Sequence, residues 1–176
     1  MKNVIWIAFF TCLIIYNSAQ ATERTIPKPA SLKTIQPTKV IRVKNGDSVE
    51  LTAAFVKQKI KGKWVTRLAY NGSIPGPTFI APKGSKIKLK LTNKTGEPTT
   101  LHSHGLRVDD KNDGVVGIGQ GPILNGQSFV YELKFPDAGL YWYHPHMSDE
   151  YGQEMGLQGN YWVTEDLSEM GAHFIA

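Results

Sequence analysis

The 176-residue chain contains a single cysteine, Cys12. It sits in an almost wholly apolar run, residues 4–16, which follows Lys2 and precedes Ala19-Gln20-Ala21. A basic start, an apolar stretch and a small-x-small site form the pattern of a signal peptide, expected over residues 1–21. The competing reading, a membrane anchor, fails on length, because a span needs about 20 apolar residues. Phe9-Phe10-Thr11 ahead of Cys12 does not read as a lipoprotein cleavage box. Export to a periplasmic or secreted location is therefore expected. Without residues 1–21 the chain keeps 155 residues and no cysteine, which excludes disulfides, thiolate metal sites and cysteine nucleophiles. That length suits one hydrophobic core and is short for two.

A strong excess of one charge is also missing. Twenty Lys and Arg against 15 Asp and Glu give a formal net charge of +5, which falls by one when Lys2 leaves. Lys86, Lys88 and Lys90 alternate with Ile87, Leu89 and Leu91, the pattern of a strand with one wet face. No nucleic-acid partner is expected, and no membrane partner once the leader is cleaved. Long amphipathic helices are absent too; only residues 148–156 suggest a turn or two. Period-2 alternation fills the rest, with strands expected at 38–44, 48–56, 64–70, 85–93, 129–135, 139–143 and 160–164. Residues 98–101 also look strand-like. Ile87, Leu89, Leu91, Tyr131, Leu133 and Phe135 should each share one side of their strands. Residues 22–37, with Pro27, Pro29 and Pro37, read as an extended leader, loosely attached. Many short strands between Gly and Pro turns imply an all-β sandwich or barrel.

Histidine is scarce but concentrated. Four of the five occur as His102-Ser103-His104 and His144-Pro145-His146. Spacing of i and i+2 on a strand puts both imidazoles on one face, about 6.5–7 Å apart along the backbone. Two such pairs point to a metal site, and an imidazole set without thiolates suits copper or zinc. The competing reading is a set of surface or capping histidines on a sandwich rim. His173 stands apart and reads as a solvated tail residue. Met147, Met155 and Met170 form no dense cluster, and Met147 and Met155 read as packing. Tyr141, Trp142 and Tyr143 read as core and rim residues of their strand.

The motifs Tyr70-Asn71-Gly72-Ser73-Ile74-Pro75-Gly76-Pro77 and Leu101-His102-Ser103-His104-Gly105-Leu106 resemble the first domain of the laccase-like multicopper oxidases. The resemblance continues through Asp113-Gly114-Val115, Gly121-Pro122-Ile123 and Gly126-Gln127-Ser128-Phe129-Val130-Tyr131. It ends with Gly139-Leu140-Tyr141-Trp142-Tyr143-His144-Pro145-His146 and Gly156-Leu157-Gln158-Gly159. It implies a single Greek-key cupredoxin sandwich over residues 38–166, followed by a tail at 167–176. It also assigns roles. His102 would bind the type 2 copper, His104 and His144 one type 3 copper, and His146 the other. Asp113 would help deliver protons to dioxygen, although an Asx-turn role before Gly114 fits its sequence context equally.

Two departures from the family pattern shape the functional expectation. The family draws half of eight cluster histidines from a His-Cys-His segment in another domain, whose cysteine also holds the type 1 copper. After Cys12 this chain has four paired histidines and no thiolate, so a type 1 site is excluded. The resemblance therefore implies half of a type 2/type 3 copper cluster, from a truncated or split chain, completed by a second chain or missing domain. Dioxygen would be reduced only in that assembly. The alternatives are an exported copper-sequestering module without turnover, or a remnant whose site no longer closes. Ser103 stands where the family commonly has tryptophan, a change expected to be tolerated.

Overall fold

Alternating apolar residues dictate which face of each strand turns inward. The computed structural model describes residues 24–147 and 149–165. Nine strands occupy that span: β1 (Val40–Arg42), β2 (Ser48–Ile60), β3 (Lys63–Tyr70), β4 (Thr78–Pro82), β5 (Lys86–Lys94), β6 (His102–His104), β7 (Ser128–Lys134), β8 (Gly139–His144) and β9 (Gly159–Thr164). One short helix, α1 (Asp149–Met155), joins β8 to β9. The strands make two sheets, one ordered β1-β4-β9-β8-β6 and the other β3-β2-β5-β7. Facing each other, they form the expected all-β Greek-key cupredoxin sandwich. Among the described residues, no helix is long and apolar enough to cross a membrane.

The alternation works as the pattern requires. In the four-stranded sheet Ile87, Leu89 and Leu91 of β5 lie opposite Leu133, Tyr131 and Phe129 of β7. Ile87, Leu89, Leu91, Tyr131, Leu133 and Phe135 are all buried, while Lys86, Lys88 and Lys90 reach solvent. The five-stranded sheet answers with aromatics. Tyr143 lies 5.4 Å from Tyr70, 5.9 Å from Phe79 and 5.0 Å from Tyr161, measured between ring centroids.

Buried phenols need partners. The Tyr143 hydroxyl donates to the Pro77 carbonyl at 2.6 Å, and Tyr131 accepts from the Leu101 amide at 2.9 Å. The Tyr70 hydroxyl is buried with no hydrogen-bond partner among the described residues. An unsatisfied buried hydroxyl costs about 1–3 kcal/mol. Tyr70→Phe is therefore expected to raise the urea midpoint of unfolding; a lowered midpoint would contradict that reading.

Strand β4 escaped the alternation pattern. Phe79, Ile80 and Ala81 are all buried, in a strand flanked within its sheet by β1 and β9, both parallel to it. Such a strand reads as a short continuous apolar run, here bounded by Pro77 and Pro82. Residues 98–101 form no strand beyond a single bridge between Thr99 and Ile123. The strand begins with His102 itself.

The loose leader is corrected. Lys57 donates its amide to the Lys33 carbonyl and accepts from the Ile35 amide, both at 2.9 Å. Gln36 donates to Gly72 at 2.8 Å, and the Thr66 hydroxyl donates to Pro27 at 2.7 Å. The cause lies in β2, which pairs with β5 only from Ser48 to Ala54. Past that point its open edge needs a partner, and the proline-rich segment supplies one.

Candidate metal centre

Strand β6 is three residues long and lies at the edge of the five-stranded sheet, antiparallel to β8. The register sets His102 opposite His144, Ser103 opposite Tyr143 and His104 opposite Trp142. Period-2 geometry then sorts them. Ser103 and Tyr143 turn into the core, where both are fully buried, and the Ser103 hydroxyl lies 3.2 Å from that of Tyr161. A small polar residue fits there, which accounts for serine at this position. His102, His104, Trp142 and His144 share the other face.

On that face the imidazoles converge. The His102 ring lies 5.4 Å from those of His104 and His144 and 5.3 Å from that of His146. One nitrogen each of His102, His104 and His144 fall within 4.8 Å of one another. His104 Nδ1 faces His144 Nε2 at 3.4 Å. His146 is anchored by its amide, which donates to the Thr100 hydroxyl at 3.2 Å. Its ring sits 6.4 Å from that of His144, and it lies outside the three-nitrogen set.

Neighbouring groups decide which nitrogens face the centre. His102 Nδ1 is 2.7 Å from the Asp113 carbonyl oxygen, so its N–H donates there and Nε2 remains free. His144 Nδ1 donates in the same way to the Pro145 carbonyl at 2.8 Å. Burial, reinforced by the surrounding imidazoles, pushes His144 below the usual histidine range, although its bond to Pro145 opposes this. A neutral ring is the ligating form.

Trp142, read from sequence as a core or rim residue, has a more specific position. Its ring stacks on His144 at 4.0 Å and on His104 at 5.2 Å, with interplanar angles of 27° and 30°. One indole thus lies against the two imidazoles whose nitrogens face each other. The cue was present in the sequence, since Trp142 is two residues before His144 and shares its strand face.

The carboxylate of Asp113 lies 3.4 Å from His102 Nδ1. Its placement depends on Gly114, whose φ is +81°. A Cβ on Gly114 would run into the Leu101 carbonyl and the His102 amide. Gly114→Ala should therefore lose about 1–3 kcal/mol from backbone strain alone and weaken copper binding by displacing the Asp113 carbonyl. Denaturant melts and copper titration would read the two effects; wild-type behaviour in both would contradict this account. His173 and Met170 lie outside the described residues, as do residues 1–21 and 167–176. Met155 packs against the core.

Comparison with known proteins decides the family. A family model described as multicopper oxidase matches residues 52–168. The chain belongs to the multicopper oxidase family. It is 37% identical over 111 residues to a multicopper oxidase of Staphylococcus aureus, covering 60% of this chain and 24% of that protein. It is 34% identical over 128 residues to multicopper oxidase MmcO of Mycobacterium tuberculosis, covering 69% of this chain and 23% of that protein. The chain thus spans about a quarter of the length of these two curated relatives. In structure it is similar to a multi-copper oxidase from Pseudomonas thermotolerans, with a TM-score of 0.65 and 32% identity, over 74% of this chain and 31% of that one.

Family membership implies copper, and the donor set fits it. Imidazole nitrogen is a good copper ligand. His104 Nδ1 and His144 Nε2, 3.4 Å apart, are close enough to be held by one ion, and His102 brings a third nitrogen within 4.8 Å of both.

Proposed function

We propose that this cupredoxin domain supplies half of a type 2/type 3 copper cluster to a multicopper oxidase that reduces dioxygen. In this reading His102 is the type 2 ligand, His104 and His144 serve one type 3 copper, and His146 serves the other. The convergence of the β6 and β8 histidines on one sheet face carries the reading. Bound copper supplies the electron storage and transfer that dioxygen reduction requires. The chain's own residues hold the donors in place: Asp113 and Pro145 fix two tautomers through their carbonyls, and Trp142 backs the facing pair. The Asp113 carboxylate, 3.4 Å from His102, is the group for proton delivery.

The domain limits proposed are residues 38–166 for the cupredoxin unit, 22–37 for the extended leader and 167–176 for the tail. Residues 1–21 serve as the signal peptide, which directs the protein to the periplasm or the exterior. The partner is a domain or second chain carrying the His-Cys-His segment. Copper-loaded protein alone should show no intense thiolate-to-copper charge-transfer band near 600 nm, because no thiolate remains after Cys12, and no oxidation of a phenolic dye above free copper. Adding a separately expressed His-Cys-His domain should produce both. An intense 600 nm charge-transfer band and oxygen consumption from this chain alone would contradict the proposal, as would failure of reconstitution with a domain that itself holds copper.

A further inference from the structure

The hairpin formed by β2 and β3 has a feature that the copper site does not use. From Leu51 to Gly96 the chain carries ten Lys and Arg and no Asp or Glu. Four of those cations, Lys57, Lys59, Lys61 and Lys63, fall at one hairpin end. Beta2 leaves β5 after Ala54, and past Lys57 its only strand partner is β3. The ribbon therefore runs beyond the sheet to a two-residue turn at Lys61 and Gly62, with φ of 46° and 83°.

This end is amphipathic as well as basic. Trp64 is 48% exposed and Ile60 38%, and the register pairs Lys59 with Trp64 and Ile60 with Lys63. Alternation puts Trp64 on one face of the ribbon and Ile60 on the other. The ammonium groups of Lys57 and Lys59 lie over the Trp64 ring, at 5.3 and 6.0 Å from its centroid. Among the described residues, none of these four lysines joins an ion pair. Lys33 runs alongside, its carbonyl bonded to Lys57.

We propose that this hairpin end is a docking surface for an anionic phospholipid bilayer. Charge complementarity selects an anionic partner. The apolar side chain on each face selects a bilayer over a soluble polyanion, because tryptophan and flanking lysines settle together at the headgroup level. This departs from the expectation of no membrane partner, which rested on lysines spread along strands. The fold gathers four of them at one hairpin end, where among the described residues none is paired with an acid.

The test uses protein freed of residues 1–21, which retains every described residue, and vesicles of phosphatidylglycerol mixed with phosphatidylcholine. Cosedimentation should show binding that weakens in high salt and is absent on pure phosphatidylcholine. Lys59→Glu with Lys61→Glu should weaken it at least tenfold, with the circular dichroism spectrum unchanged. Tryptophan emission should shift blue on binding, and Trp64→Phe should remove the shift. Equal binding by the charge-reversed protein, equal binding to neutral vesicles, or binding to heparin without binding to vesicles would each overturn the proposal.

Discussion

Protein in which His104 and His144 are both alanine should show no tight copper binding by isothermal titration. The loss should exceed about 100-fold, since even disturbing an outer-shell partner costs about 10–100-fold in metal affinity. These two residues offer the closest pair of facing ring nitrogens, 3.4 Å apart. Losing both leaves His102 and His146 with no third imidazole. His144 is buried and His104 exposed, so the double variant leaves a small hollow under Trp142. His104→Ala alone avoids that and should still lose most of the affinity. His173→Ala should bind as the parent does. Equal losses in the His173 and His104 variants would show that binding is spread over any available imidazole.

The second large effect concerns alkaline pH. Tyr70, Tyr131, Tyr143 and Tyr161 are buried side chains of the core. Burial raises all four phenols above their usual range, that of Tyr131 to about 12. An acid raised in the folded state holds its full stabilising effect below the unfolded value, about 10. Above it the unfolded chain loses a proton that the folded chain keeps. Stability then falls by about 1.4 kcal/mol per pH unit for each phenol, or about 5 kcal/mol for four. A domain with a stability of about 5–10 kcal/mol should therefore unfold within one to two units above pH 10, the range over which Tyr131 keeps its proton. Phenolate absorbance near 295 nm for these four should rise together with the loss of far-ultraviolet circular dichroism. Gradual ionisation of all four with the spectrum intact would show that the core admits hydroxide without unfolding.

These residues also show how far the fold is legible from sequence. Alternation put Ile87, Leu89 and Leu91 on one side of β5 and Tyr131 and Leu133 on one side of β7, and burial shows that side to be the dry one. It could not find Phe79-Ile80-Ala81, where both faces are dry. The proline-rich leader misled for another reason. Composition describes local stiffness, whereas its attachment depends on an open edge of β2 that only the folded sheet creates.

The copper-site candidates were legible as pairs, but their relation to each other was not. Period-2 spacing puts His102 with His104, and only the β6–β8 register brings His144 opposite His102. The same register sets Trp142 against His104, a contact between residues 38 positions apart in the chain. Asp113 was reached by family resemblance. Its backbone carbonyl, the atom nearest His102, has no sequence signature at all. Clustering of the hairpin lysines depends likewise on where β2 parts from β5.

The central claim is that one face of the five-stranded sheet holds copper through imidazoles from two strands. Its most direct test is a crystal of the copper-loaded protein measured at the copper absorption edge. The account predicts anomalous density within bonding distance of His104 Nδ1 and His144 Nε2, with His102 or His146 completing the donors. Density at His173 or scattered surface residues, with the β6 and β8 histidines unbound, would contradict it.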